Sequence, residues 1–345
     1  MSARASRISI FALDSAAGVL NSGAAAWTTA AFTVAMPATL GAQGRCGNLV
    51  SEHMIDVPKA FAHATALREG DAGRAWLSEL PAIADELLQR WDCVPDGPVS
   101  HGAVGIVLPV RRSDLPSAAI KMSFPHPGNV HEPDAFAAWN GRGAVRLFDR
   151  DDARFAMLLE RAGPGTLADV TDNDQAVGVL GELSRRLAVE APAGLPRLRD
   201  QVAGWEAEML ADSAELGHPL PRRVLDAATA AMRELDHPET LVHGDLHDAN
   251  VLAGDREPWL AIDPKGVVGD PAYDAFTVIH SPRLLLTSEH ERSLEVFCEA
   301  AGIDRERARR WALVRAVRSA LWDRLHDAPN WLVQGTERLI DTLGE

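Results

Sequence analysis

The order of apolar patterns along the chain predicts an α+β protein of two lobes, an antiparallel sheet lobe followed by a mainly helical one. Three observations carry this. Short apolar runs set between turn formers crowd the stretch from Asp96 to Ala162. Helix-spaced apolar positions dominate from Thr166 onward. A length of 345 residues is enough for two lobes that each bury a core. The expected division is a weakly ordered leader over 1–53, a sheet lobe with leading helices over 54–162, and a helical lobe over 163–345.

Taken in order, residues 1–53 carry few charges, many Ala, Gly, Ser and Thr, and no clear helical period. Arg4 and Arg7 ahead of an Ala-rich run resemble a signal peptide faintly, but Asp14 interrupts the apolar stretch. Gly, Thr and Pro dilute every window long enough to span a membrane. Met54 is then the expected start of the folded protein. From Val57 to Trp91 the spacing is helical, with a break at Gly70-Asp71-Ala72-Gly73. Val104–Val110 and Ala118–Met122 read as two strands of a hairpin. Ahead of them, Ser100–Gly105 is a small-residue loop where backbone could approach a phosphate, Gly102 included, although two glycines are a weak signal. Glu132 opens a helix, with Pro133 acceptable in its first turn. Val145–Asp149 and Phe155–Glu160 are two further strands, ended by Gly163-Pro-Gly. Helices are expected over Thr166–Glu190, Val202–Leu216, Arg222–Leu235 and throughout 284–343. Gly269–Asp274 is a tight turn in which Asp270 caps the next helix and Asp274 braces the neighbouring loop.

Composition narrows the function. The chain is 46% hydrophobic and 24% charged, ordinary for a globular protein. A formal charge of −15 argues against nucleic acid or an anionic membrane as partner and is compatible with a cationic one. Cys46, Cys93 and Cys298 are scattered, without metal spacing or a disulfide framework, which fits a reducing compartment. Of 34 basic residues only Lys59, Lys121 and Lys265 are lysine. A compact ammonium on a flexible stem suits phosphate contact in a way that a forked guanidinium does not.

The chemistry concentrates in Leu241–Lys265. Two apolar runs, Asn250–Ala253 and Pro258–Ile262, flank the turn formers Gly254-Asp255, which makes a β-hairpin. Folding the second strand back along the first returns Asp263 to the end where Asn250 lies, close to Asp245 in the preceding loop. The amide and carboxylate oxygens of Asn250 and Asp263 form a hard-cation site suited to Mg²⁺, and Asp245 is left to meet a hydroxyl. This is the catalytic arrangement of protein-kinase-like phosphotransferases, an Asp and an Asn five positions on, followed by a metal-binding Asp. Lys121, a cation inside an apolar strand, and Glu132 on the next helix fit the nucleotide clamp of the same arrangement. Without that context Lys121 reads as a solvent-facing residue of an alternating strand. Backbone of Glu160 to Ala162 stands where the adenine edge would bind. The acidic run Glu206, Glu208, Asp212 and Glu215 is either a solvated helix face or a wall for a cationic substrate.

Leu-Val-His-Gly-Asp-Leu-His-Asp-Ala-Asn-Val-Leu, Ala-Ile-Asp-Pro-Lys-Gly-Val-Val-Gly-Asp-Pro-Ala-Tyr-Asp, Ala-Trp-Asn-Gly-Arg-Gly-Ala-Val-Arg-Leu and Gly-Arg-Ala-Trp-Leu-Ser-Glu-Leu-Pro together resemble the aminoglycoside/hydroxyurea phosphotransferase family. The similarity runs from about Val57 to the region of Trp322. It implies a protein-kinase-like fold that binds Mg-ATP between its lobes and passes the γ-phosphate to a hydroxyl of an aminocyclitol such as streptomycin, or to hydroxyurea, in the cytoplasm. It matches Asp245 to the base, Asn250 and Asp263 to the metal ligands, Lys121 to the phosphate-binding lysine and Glu132 to its partner. Two positions depart from the pattern. Pro264 stands where protein kinases have Phe, and Ala188 where many relatives carry His. A kinase of some metabolite hydroxyl, or a non-catalytic binding protein of the same fold, stays open, as does the oligomeric state.

Overall fold

The structure, a computed structural model, describes residues 55–235, 238–287 and 289–344. The leader and Met54 lie outside them. Within them the chain forms two compact units, one of residues 55–124 and 148–164, the other of 125–147 and 165–344. Segment 125–147, which the sequence placed with the sheet lobe, clusters with the helical unit instead. No helix among the described residues is long and apolar enough to cross a membrane.

The first unit is built on a six-stranded sheet behind a long helix, α1 (Lys59–Arg90). Its strands are β1 (Val94–Pro95), β2 (Ser100–His101), β3 (Gly105–Arg112), β4 (Leu115–Ser123), β5 (Leu147–Asp151) and β6 (Ala156–Glu160). Their order is β1-β3-β4-β6-β5, with β2 also paired to β3. The break expected at Gly70 is present as a kink with φ 62°, a backbone state that only glycine adopts cheaply. Beyond it, Leu80, Ile83, Ala84, Leu87, Leu88 and Trp91 recur at helical spacing and pack against Ile106, Leu108, Ile120, Met122 and Leu158. The hairpin β3–β4 runs longer than its apolar stretch, because Arg112 pairs with Leu115 across the turn and salt-bridges Asp114 at 2.6 Å.

The second unit opens with α2 (Glu132–Trp139) and continues through α3 (Asn173–Leu187), α4 (Leu198–Glu215) and α5 (Arg222–Glu234). The single helix expected over Thr166–Glu190 is corrected to a 3₁₀ turn at Leu167–Asp169 followed by α3. Thr166 caps the first and Asp172 the second, and two cap residues that close together cannot both sit inside one helix. The segment 284–343 is likewise four helices, α7 (Pro282–Leu285), α8 (His290–Ala301), α9 (Arg305–Leu325) and α10 (Asn330–Gly344), preceded by α6 (Ala275–Ile279). Gly302 at φ 70° ends α8 and Asp304 caps α9. Two small sheets lie among these helices. β7 (Val189–Glu190), β8 (Thr240–Val242) and β11 (Val267–Val268) form one, and β9 (Val251–Ala253) with β10 (Trp259–Ala261) forms the other.

Close helix contact in this unit depends on a glycine. A Cβ on Gly181 of α3 would come within 2.7 Å of both the Ala300 Cβ and the Phe297 carbonyl of α8. Neither is the movable end of a side chain, so the helices would have to part. Overpacking costs about 1–3 kcal/mol, against about 1 kcal/mol gained from helix propensity. Gly181→Ala is therefore expected to lower the urea midpoint, and a midpoint at or above the parent's would show that the contact yields freely.

Candidate active site

The hairpin β9–β10 has the register Val251↔Ala261, Leu252↔Leu260 and Ala253↔Trp259. One step further, the Ile262 N–H donates to the Asn250 carbonyl at 2.9 Å, so the chain leaves β10 beside Asn250. Asp263 then turns away at φ 58°, a left-handed state that Asp tolerates better than bulkier residues. On the other side, the Asn250 side-chain amide donates to the Asp245 carbonyl at 3.0 Å. The three residues predicted from spacing thus gather at one end of one hairpin.

Each backbone group around Asp245 has a fixed partner. Its N–H donates to His243 Nδ1 at 3.2 Å, and its carbonyl takes the Asn250 amide. Because Nδ1 accepts, His243 carries its proton on Nε2 and donates it to the Ile262 carbonyl at 2.9 Å. That imidazole is buried and stacked on Trp139, with ring centroids 6.0 Å apart. Gly244 donates its N–H to Asp274 at 2.8 Å, the bracing role expected of that residue. Its carbonyl accepts from Arg315 of α9 at 3.4 Å, and Arg315 also donates to the Tyr273 carbonyl at 3.0 Å. The guanidinium lies 4.1 Å above the Tyr273 ring and is wholly buried. Asp270 caps the turn at Ala272 as predicted and also accepts from Trp311 at 3.2 Å.

Charge at the centre is set by neighbours. Burial pushes the Asp245 carboxyl up, but Lys265, His247 and His243 outweigh it and hold the group below the usual carboxylate range. Lys265 Nζ is 3.1 Å from Asp245 Oδ2, and His247 Nε2 is 3.9 Å from Oδ1. Burial raises Asp274 to about 7 against the opposing pull of Arg315 and of the Gly244 amide. Burial also depresses His243 to about 4, so its imidazole stays neutral.

The remaining predicted residues divide between the two units. Lys121 lies on central strand β4, opposite Val107 and Met157, and is buried. The solvent-facing reading of that lysine is thereby excluded. Glu132, also buried, begins α2 in the helical unit. Gly102 forms the turn between β2 and β3, its N–H donating to the Gly105 carbonyl at 2.9 Å. A Cβ on Gly105 would strike Met122 and Ser123 at 2.7 Å, whereas one on Gly102 would meet nothing within 4 Å. Packing therefore explains Gly105 and leaves Gly102 facing open space. Glu160 ends β6 opposite Ala118, and Ala162 follows just beyond. In the acidic run, Glu206 is paired with Arg233 and Glu208 with Arg318.

Two supports escaped the sequence reading. Lys265 stood out as a rare lysine but had no assigned partner. Arg315 was passed over within an apolar stripe. Trp311 to Leu321 is buried on every side, and an arginine in such a helix needs acceptors, but that burial is visible only in the fold.

A family model described as aminoglycoside/hydroxyurea antibiotic resistance kinase matches residues 90–326. A streptomycin 6-kinase of Streptomyces glaucescens is 38% identical over 280 residues, 78% of this chain and 91% of that protein. A hydroxyurea phosphotransferase of Kitasatospora aureofaciens is 37% identical over 276 residues, 78% of this chain and 81% of its own length. Among solved structures, an aminoglycoside phosphotransferase in ternary complex with ADP and hygromycin B superposes with a TM-score of 0.53 at 15% identity, covering 76% of this chain and 98% of that one. A choline kinase of Streptococcus pneumoniae gives 0.51 at 13% identity, over 77% and 99%. These likenesses place the fold among the kinase-like phosphotransferases.

The neutral, buried His243 has a consequence for stability. Its folded pKa of about 4 lies below the ordinary histidine value of 6.5, so the unfolded chain takes up the proton first. The stability it contributes is fully present above pH 6.5 and is lost as pH falls toward 4. The shift corresponds to about 3 kcal/mol. Unfolding free energies from pH 4.5 to 7.5 should therefore fall less steeply on acidification in His243→Gln than in the parent. Parallel curves would show that His243 titrates normally in the fold.

Proposed function

This chain belongs to the aminoglycoside/hydroxyurea antibiotic resistance kinase family, and from that premise we propose that it transfers the γ-phosphate of ATP to a hydroxyl of an aminocyclitol such as streptomycin, or to hydroxyurea. The observation that carries the reading is the Asp245 carboxylate, kept ionised in a loop whose Asn250 and Asp263 meet at one end of a hairpin. An ATP-dependent detoxifying enzyme of this kind belongs in the cytoplasm, where its nucleotide is.

The donor set fits magnesium. Asn250 spends its amide nitrogen on the Asp245 carbonyl, which leaves its amide oxygen as the donor, and Asp263 adds a carboxylate. Asn250 and Asp263 would hold the ion, which when bound neutralises charge on the β- and γ-phosphates. Asp245 orients the acceptor hydroxyl and takes its proton as the new phosphorus–oxygen bond forms, while the ADP oxygen leaves. Its backbone, tied to His243, Asn250 and, through Gly244, to Asp274 and Arg315, cannot drift during that step. Positioning of this kind and charge stabilisation supply most of the rate in phosphoryl transfer. To Lys121 we assign the phosphate contact and to Glu132 its orientation. The turn at Gly102 and the backbone of Glu160 to Ala162 are assigned to the nucleotide.

Phosphorus NMR or mass spectrometry of streptomycin, other aminocyclitols and hydroxyurea incubated with Mg-ATP should reveal one phosphorylated product. ATP binding without transfer to any of them would favour a different acceptor or a binding role. Asp245→Ala is expected to lower kcat by at least ~10² with ATP binding retained, and near-parental turnover would remove Asp245 from the mechanism. Asp263→Ala should abolish magnesium-dependent transfer, and an unchanged magnesium response would contradict its assignment as a ligand.

A further inference from the structure

We infer that Lys265 is a positioning residue of this site: its ammonium pins one carboxylate oxygen of Asp245 and so presents the other to the acceptor hydroxyl. The inference rests on the phosphotransfer reading above and adds to it which oxygen works and what aims it.

The backbone of Asp245 is fixed at both its N–H and its carbonyl, but those bonds do not set the plane of the carboxylate. A carboxyl group on a single bond turns through a broad range of angles, so some partner must choose one. Lys265 Nζ at 3.1 Å from Oδ2 is within hydrogen-bond reach, whereas His247 Nε2 at 3.9 Å from Oδ1 is not. One oxygen is bonded, and the other has no hydrogen bond among the described residues and lies 3.9 Å from an imidazole nitrogen. Both partners of the ion pair are 13% exposed, too little for water to weaken it greatly.

The fold also provides the route for that side chain. Lys265 is anchored through its own N–H, which donates to the His243 carbonyl at 2.8 Å. Its stem then runs across the bare Cα of Gly244, where a Cβ would meet Lys265 Cβ at 3.0 Å and Cγ at 3.4 Å. Gly244 stands at φ 83°, so both its backbone state and its missing side chain serve this passage. A lysine here, in a chain that uses arginine at almost every other basic position, suits a single bond to one oxygen. A guanidinium would reach for both oxygens with its fork.

Two measurements test the inference, and the first needs no turnover. In a thermal double-mutant cycle, Lys265→Met should lower Tm. Adding Asp245→Asn should then recover part of the loss, because the unpaired buried charge is gone. Additive shifts would show that the pair is not formed and would overturn the inference, even in an active kinase. The second compares kinetics on whichever acceptor the parent phosphorylates. Lys265→Met is expected to reduce kcat at least about ten-fold with KM for ATP within about two-fold, the mark of lost alignment rather than lost binding. Lys265→Arg should recover activity only in part. A raised KM for ATP with kcat retained would assign Lys265 to the nucleotide and overturn the proposal. A parent that phosphorylates none of the acceptors would remove the functional reading, while the thermal cycle would still decide whether Lys265 holds Asp245.

Discussion

Gly244 is gripped by buried polar side chains at both of its backbone groups, the Asp274 carboxyl on the N–H and the Arg315 guanidinium on the carbonyl. The next residue is Asp245, the base of the proposed reaction, and that role depends on where its carboxylate stands. A loop this rich in small and polar residues has no apolar side chain of its own to wedge it in place, apart from Leu246. Hydrogen bonds to ionised partners are stronger and more directional than neutral ones, and they strengthen further where water is excluded. Burying an acid and a base beneath a loop is expensive unless each finds partners. Here Asp274 has the glycine amide, while Arg315 has two carbonyls and two aromatic faces. The same groups that satisfy these buried side chains hold the loop.

Around that support the hairpin contributes register rather than chemistry. Its antiparallel pairing brings residue 263 back to residue 250 whatever the side chains between them are, and β8 with β11 sets the two ends of the segment side by side. The Lys265 N–H bond to the His243 carbonyl closes the circuit. A polar loop, two short strands and a return strand thus become one small framework, stiff enough to keep these three residues together at one end of the hairpin.

How much of this was legible in the sequence follows from how local each signal is. The hairpin, the spacing of Asp245, Asn250 and Asp263, the cap at Asp270 and the brace at Asp274 could be read, because each is written within about thirty residues of chain. Strand pairs in the first unit were found for the same reason, with ends misjudged where Arg112 and Asp114 extend a ladder that apolar content alone would stop. The helix over Thr166–Glu190 was drawn as one piece because its apolar period runs on through two caps that compete with it. Arg315 was missed since its acceptors at 244 and 273 are distant in the chain, and only the folded arrangement shows that an apolar helix face hides a cation. Burial of Lys121 depended in turn on β4 being a central strand, which hydrophobic alternation cannot decide.

The tie between Arg315 and Gly244 spans 71 positions and reaches into the middle of α9. During synthesis the hairpin and its three polar residues leave the ribosome well before the guanidinium that steadies them. A chain halted by a premature stop anywhere between the hairpin and that helix would retain every residue of the motif, yet the loop would lack its underpinning. For this protein, possession of the motif and possession of its support are separate properties, and the second arrives only with the helix that carries Arg315.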